Sequence, residues 1–253
     1  MTIRFDDKVA IVTGAGGGLG KQHALELARR GAKVVINDLG GALDGSGGAS
    51  EAANIVVEEI KSEGGIAIAN GASVADQKGV AGMVQETLDE WGQIDILVNN
   101  AGVLMDSTLK KLESDQFDAV INVNLRGVYL CGKAAADIMR EQGSGVILNA
   151  SSVVAHNGNF GQTNYGAAKA GIAGFSRSLS MEMAKYKCTV NTISPGAATR
   201  LTIDLMKAAG REVDESDWKQ GPQQIAPVIT WLCSEEANEV TNQIFHISQG
   251  NVG

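Results

Sequence analysis

Two residues four positions apart carry the clearest chemistry in this sequence. Tyr165 and Lys169 stand in the run Asn164-Tyr165-Gly166-Ala167-Ala168-Lys169, a helical pattern that projects both side chains from one face. A phenol with an ordinary pKa of about 10 is a poor base at neutral pH, and a nearby ammonium stabilises its phenolate. The pair is a candidate general acid/base, although such pairs also decorate ordinary surface helices. Ser152 tilts the balance toward chemistry. It follows the apolar run Val146-Ile147-Leu148, at a strand end of the kind that faces the ligand crevice in open α/β sheets, and its hydroxyl could hold a substrate oxygen.

A second set of residues points to a dinucleotide. After an apolar run comes Thr13-Gly14-Ala15-Gly16-Gly17-Gly18-Leu19-Gly20, then a helical pattern from Lys21 to Arg30. A turn this rich in glycine lets backbone N–H groups approach a pyrophosphate, and the helix that follows favours the negative charge. The six-residue fingerprint begun at Gly14 fails, because its last position is Leu19, so the relevant spacing is Gly14, Gly18, Gly20. At the end of the next apolar run, Val34-Val35-Ile36-Asn37 leads into Asp38. A carboxylate there accepts hydrogen bonds from ribose hydroxyls and repels a 2′-phosphate, which favours NAD over NADP.

These residues need a sheet that brings strand ends together. Strands are expected at Val9–Thr13, Lys33–Asn37, Ile66–Asn70, Ile94–Val98, Val146–Asn149, Thr189–Ile193 and Ile244–Ile247, alternating with amphipathic segments such as Ala49–Ser62 and Val80–Trp91. That alternation predicts an α/β fold: a doubly wound, Rossmann-type, seven-stranded parallel sheet with helices on both faces, in one domain over 1–253. Two segments break the rhythm. Gly40 to Gly48 reads as a flexible loop, and Ala197 to Gly221, before a helix begun by Pro222, reads as a substrate lid.

Composition narrows the partners. With 44% hydrophobic and 20% charged residues and a formal charge of −8, the 253-residue chain suits small-molecule ligands or copies of itself, not nucleic acid or an anionic membrane. Cys131, Cys188 and Cys233 are widely spaced and odd in number, as expected of buried thiols in a reducing compartment. No run approaches the length of a membrane span and the first residues carry no apolar leader, so a cytoplasmic location is expected. His23 and His246 fall in helix and strand patterns and read as structural. His156, four residues after Ser152, is a candidate for the substrate pocket, although a loop histidine with local hydrogen bonds is the plainer reading. No spacing suggests a catalytic metal site.

Taken in order, Thr13-Gly-x3-Gly-x-Gly20, Asn99-Asn100-Ala101-Gly102, Asn124, Ser152, Tyr165-x3-Lys169 and Pro195-Gly196 resemble the motifs of the short-chain dehydrogenase/reductase family across nearly the whole chain. The resemblance implies that Tyr165 is the acid/base and that Lys169 lowers its pKa and binds the nicotinamide ribose. It gives Ser152 the task of orienting the reacting oxygen and Asn124 that of anchoring a proton relay. It places Gly14, Gly18, Leu19, Gly20, Asp38, Asn100, Ala101 and Gly102 around the adenosine and pyrophosphate, and Pro195 and Gly196 at the nicotinamide. Two positions depart from the family pattern. Ser73-Val74 stands where many members carry Asp-Val against adenine, and Arg200 stands where many carry a threonine for the carboxamide, so no single carboxamide ligand is assigned.

A closer resemblance joins Asn37-Asp38-Leu39-Gly40-Gly41, Gly158-Asn159-Phe160-Gly161-Gln162 and Trp231-Leu232-Cys233 to the (3R)-hydroxyacyl-CoA dehydrogenase units of peroxisomal multifunctional enzymes of type 2. It implies oxidation of a 3-hydroxyacyl-CoA with NAD; CoA phosphates favour basic partners, for which Arg200, Lys207 and Arg211 are candidates, although on an exposed lid such side chains are more often simply solvated. The chain is expected to be the dehydrogenase unit alone, ending without a peroxisomal signal. Hydroxysteroid oxidation, carrier-protein 3-oxoacyl reduction and NAD(H) sensing without turnover stand as competing expectations. Family members of this kind are homodimers or homotetramers, often packed through the helix that carries the tyrosine.

Overall fold

The computed structural model describes residues 3–40, 51–197 and 220–253, with 203, 210, 214 and 217 standing singly between them. The glycine-rich loop expected at Gly40 to Gly48 lies, after Gly40, outside the described residues. So does most of the expected lid, including Arg200, Lys207 and Arg211.

Eight strands form one sheet: β1 (Val9–Thr13), β2 (Lys33–Asn37), β3 (Ile66–Asn70), β4 (Ile96–Asn99), β5 (Gly145–Ala150), β6 (Cys188–Gly196), β7 (Ile244–Ser248) and β8 (Asn251–Val252). Their order is β3-β2-β1-β4-β5-β6-β7-β8, and all pairs are parallel except β7 with β8. The expected doubly wound sheet is therefore present with one strand more than the seven expected. The extra strand is two residues long and pairs as an antiparallel edge after the turn at Gln249 and Gly250, too short for alternation to reveal. Pairing extends β6 to Gly196, three residues past the expected end.

Burial explains the sheet. β1 is entirely buried, as expected of a central parallel strand covered on both faces. One face, with Val12, Val34, Ile36 and Leu148, packs with Leu27 of α1 (Gly18–Arg29), Val56 of α2 (Glu51–Ser62) and Ile229 of α8 (Ala226–Leu232). The other, with Ile11, Val35, Leu97 and Ile147, packs with Met83 of α3 (Gln77–Trp91), Met139 of α5 (Gly127–Gln142) and Met183 of α7 (Thr163–Met183). The described residues also include the helices α4 (Ser114–Ile121) and the single turn α6 (Val154–Asn157). Cys131, Cys188 and Cys233 are buried free thiols whose burial raises their pKa, and each packs in one of these cores.

The chain starts at β1, builds outward to β3, then returns to β4 on the other side of β1. The sheet thus reverses direction between β1 and β4, and at such a reversal the connections leave opposite faces and open a crevice beyond the strand C-termini. Between α4 and α5 the helix widens into a π-helical turn, Asn122–Arg126. Such turns are frequent at functional sites, and this one contains Asn124.

Candidate active site

The crevice is built from chain that hydrogen-bonds to itself. Thr13 Oγ1, at the end of β1, accepts the N–H groups of Asn100 (3.0 Å) and Ala101 (3.1 Å) just after β4. Asn100 Nδ2 returns the contact, donating to the carbonyls of Thr13 and Gly14 at 3.1 Å each. Gly14 sits at φ +63°, and a Cβ there would lie 2.8 Å from Ala101 Cα, so conformation and close approach both require glycine. This role of Thr13 is silent in the sequence, because a threonine at a strand end carries no signal of its partner 87 residues on.

At the head of α1 no side chain caps the helix and no acid lies in its first turn, which leaves backbone N–H groups free for an anion. Asp38 stands beside this turn. Its Oδ2 accepts the N–H of Gly16 at 2.8 Å and its Oδ1 that of Gly40 at 2.7 Å. Asn37 supports it from the buried side by donating to Asn70 Oδ1 (3.0 Å) and the Ala72 carbonyl (2.9 Å). Free N–H groups next to a carboxylate held at the end of the second strand fit the pyrophosphate and ribose of a dinucleotide. Val74 is buried against Gly127, and Ser73 Oγ accepts the N–H of Ala75 at 3.2 Å, so Ser73 caps its own turn. Pro195 and Gly196 end β6, where Gln224 Nε2 reaches the Gly196 carbonyl at 3.4 Å.

The four candidate catalytic residues converge on the β4–β5 side. Asn124 is fully buried and grips one residue: its Nδ2 donates to the Val103 carbonyl at 2.9 Å and its Oδ1 accepts the Val103 N–H at 3.3 Å. A Cβ at Gly102 would stand 2.5 Å from Asn124 Oδ1 and 3.8 Å from Lys169 Nζ, so Gly102, Asn124 and Lys169 meet around one point. Lys169 is buried and its Nζ donates to the Ala150 carbonyl at 2.7 Å. Ser151 Oγ, unremarked in the sequence, donates to the Lys169 carbonyl at 2.8 Å and ties α7 to the end of β5. Ser152 Oγ accepts the Val154 N–H at 3.2 Å and interacts with the Tyr165 hydroxyl in the sense that favours the phenolate.

Electrostatics in this region are dominated by burial. Burial pushes Lys169 down to about 8 and Tyr165 up to about 12, and the Asp106 charge adds to the rise at Tyr165. Lys169 is expected to lower the Tyr165 pKa, and burial outweighs any such effect here, so the net direction at Tyr165 is upward. The Lys169 ammonium donates to the Ala150 carbonyl and lies 5.5 Å from the centre of the Tyr165 ring.

His156, on α6, is exposed and makes no side-chain hydrogen bond in the site; Arg200 lies outside the described residues. His23 is buried on α1 and His246 is exposed on β7.

A family model described as short chain dehydrogenase matches residues 8–209. The chain belongs to the short-chain dehydrogenase/reductase family. This dehydrogenase is 48% identical over 230 residues to a short-chain type dehydrogenase/reductase of Mycobacterium tuberculosis, covering 91% of this chain and 78% of the relative. It is 42% identical over 252 residues to the peroxisomal multifunctional enzyme type 2 of Mus musculus, covering 99% of this chain but only 33% of that enzyme. The chain thus spans about a third of that multifunctional relative's length. Its fold superposes with a TM-score of 0.84 and 32% identity on a 7α-hydroxysteroid dehydrogenase complexed with NADH and 7-oxo glycochenodeoxycholic acid, covering 98% of this chain and 96% of that one. The dehydrogenase is an oxidoreductase acting on CH–OH groups with a nicotinamide cofactor. Among the described residues no helix is long and apolar enough to cross a membrane.

Proposed function

We propose that this protein is an NAD-dependent dehydrogenase of a 3-hydroxyacyl-CoA. The observation that carries the cofactor is Asp38, whose carboxylate is fixed on the Gly16 and Gly40 N–H groups where a 2′-phosphate would have to sit. The acyl thioester is supported by similarity along 99% of the chain to the peroxisomal multifunctional enzyme. A hydroxysteroid is the second reading, supported by the likeness to the 7α-hydroxysteroid dehydrogenase.

The bound nicotinamide supplies a hydride acceptor for oxidation and a hydride donor for reduction. Ser152 holds the substrate oxygen next to Tyr165, whose hydroxyl gives its proton to that oxygen during reduction and takes it back during oxidation. Lys169, poised near its pKa of about 8, supplies the positive charge that the phenolate needs. Asn124 fixes Val103, and so the floor beside Lys169 and Gly102. Substrate reach would depend on the lid proposed at 197–221 within a single domain. The surface of α5 and α7, with Tyr129 and Met181 exposed, supports assembly into a homodimer or homotetramer.

The test is a panel of 3-hydroxyacyl-CoAs and hydroxysteroids offered with NAD and with NADP while nicotinamide absorbance is followed. Turnover of hydroxyacyl-CoA with NAD is expected, and Tyr165→Phe should remove at least 100-fold of it, within the usual range of about 10² to 10⁴ for acid/base groups. Turnover restricted to steroids would replace the substrate, and a Tyr165→Phe protein with full activity would sink the assignment of the site.

A further inference from the structure

Three consecutive residues at the end of β5 each hold α7 by a buried hydrogen bond. Asn149 Nδ2 donates to Ser176 Oγ at 2.9 Å, the Ala150 carbonyl accepts from Lys169 Nζ at 2.7 Å, and Ser151 Oγ donates to the Lys169 carbonyl at 2.8 Å. The first of these ties belongs to a longer string. Asn149 Oδ1 accepts at 2.8 Å from the Nδ2 of Asn99, its register partner on β4, and Ser176 Oγ donates to the Ile172 carbonyl one turn back on α7 at 2.8 Å. The string crosses β4, β5 and α7, and its side chains are closed to solvent, Asn149 completely.

The position of the string ties it to the chemistry. Asn149 stands on the strand that leads into Ser152, and Ser176 lies about two helical turns beyond Lys169 on the facing helix. Any slide of α7 along β5 would carry Tyr165 and Lys169 past Ser152. Apolar packing is a poor brake on such a slide. The buried face of α7 carries Ala168, Ala173, Ser176 and Ser180 between the larger Ile172 and Met183, and side chains this small raise shallow ridges. Hydrophobic burial is also non-directional, whereas a hydrogen bond is lost once donor and acceptor part beyond about 3.5 Å. At the head of α7, Asn164 Nδ2 donates to the Met105 carbonyl, but that tie reaches a loop and not the strand that carries Ser152. Apolar side chains of similar size would avoid the desolvation of a buried polar string, and what the string supplies is a single register.

We propose that Asn149 is a positioning residue for the reaction: through Ser176 it fixes the register of α7 on β5, and so the placement of the Tyr165 hydroxyl against Ser152. Asn149 and Ser176 are buried between strand and helix and act through the elements they join. The inference rests on Tyr165 as acid/base, and the experiment separates the two.

The test is a single turnover, in which limiting NADH already bound to the protein is mixed with saturating acetoacetyl-CoA and its absorbance is followed. The rate constant reports the bound complex and not the fraction of chain that is folded. Asn149→Leu, close in shape but without the amide, should lower it roughly tenfold to hundredfold, since a misplacement of about 1 Å can cost as much. Ser176→Ala leaves the Asn99–Asn149 pair in place and should lower it in the same direction. The double variant should fall no further than Asn149→Leu, because the two side chains act through one bond. NADH affinity, titrated by fluorescence, should change little. A wild-type rate constant in Asn149→Leu overturns the proposal even where the denaturant midpoint drops, because a string that merely stabilises the core would leave the bound complex as fast as before. Additive losses in the double variant, or a loss of NADH affinity that matches the loss of rate, overturn it as well. Should Asn149→Leu fail to fold, Ser176→Ala decides in the same measurement. Tyr165→Phe is measured beside them: full activity there would sink the acid/base reading, while an inactive Tyr165→Phe beside an unaffected Asn149→Leu would sink the positioning alone. If the panel selects a steroid, its ketone replaces acetoacetyl-CoA and the same outcomes apply.

Discussion

The regions around α1 and α7 each bury a basic side chain against the sheet, and they treat it in opposite ways. On α1, His23 is fully buried and neither ring nitrogen has a hydrogen-bond partner among the described residues. Burial alone takes its pKa down to about 3, so the imidazole is neutral wherever the protein works. On α7, Lys169 is buried too, and burial takes its pKa down only to about 8, so it is mostly charged at pH 7, with its ammonium on the Ala150 carbonyl. Around α1 the nucleotide turn is settled by its own backbone, and Asp38 has acceptor contacts on both oxygens.

Lys169→Met breaks the α7 side of this contrast and should have the largest effect. Losing the charge that sustains the phenolate should lower turnover about 10² to 10⁴-fold, in line with loss of acid/base function. Stability should not fall with it. A lysine whose folded pKa lies below its unfolded value destabilises the native state while charged, and that cost is relieved as pH rises from about 8 through 10.5. Chemical unfolding at pH 7 should therefore find Lys169→Met at least as stable as wild type, and the wild-type gain between pH 8 and 10 should be absent from the variant. A variant that is both inactive and less stable would mean that Lys169 is a structural residue.

The same contrast shows what one dimension of sequence can carry. The strands, the glycine turn, Asp38 and the Tyr165–Lys169 pair were legible because each is signalled locally, by an apolar run, a spacing or a helical interval. The contacts that give these residues their environment were not. Thr13 meets Asn100, Asp106 meets Gln162 and Ser151 meets the Lys169 carbonyl across the crevice, and no local pattern announces such pairs. The π-helical turn at Asn122–Arg126 was hidden for a related reason: its sequence reads as a helix, and only the demand to aim Asn124 at Val103 widens it. The net direction at Tyr165 was not legible because four-residue spacing fixes a shared face but not how deeply the phenol is buried.

His23→Leu tests the α1 side, with an expected effect of about 2 kcal/mol at pH 5. The folded pKa of about 3 lies below the unfolded value of 6.5, so the native state holds fewer protons, and stability is full above pH 6.5 and lost as pH falls toward 3. The slope is about 1.4 kcal/mol per pH unit in that window. Denaturant titrations at pH 7, 6 and 5 should show the wild type weakening and the leucine variant holding, as its side chain fills a site with no hydrogen bond to lose. Parallel acid profiles for the two proteins would show that His23 finds a partner or solvent in solution, and the α1 region would then lose its distinction from α7.

Asp38→Asn is the gentlest probe, because it asks whether the settled region also selects. Asparagine keeps a side-chain oxygen for the Gly16 or Gly40 N–H, so the turn should survive with less than about 1 kcal/mol lost from its partly exposed hydrogen bonds. What disappears is the negative charge that, on the reading proposed above, faces the ribose 2′-oxygen. A 2′-phosphate is then no longer repelled, and the ratio of kcat/KM with NADP to that with NAD should rise about tenfold, equivalent to roughly 1.4 kcal/mol of charge repulsion near the surface. The readout separates the two regions cleanly, since turnover with saturating NAD depends on Tyr165 and Lys169 and should change little. An unchanged ratio would show that the carboxylate shapes the turn without reading the ribose, and cofactor choice would have to be sought elsewhere in the crevice.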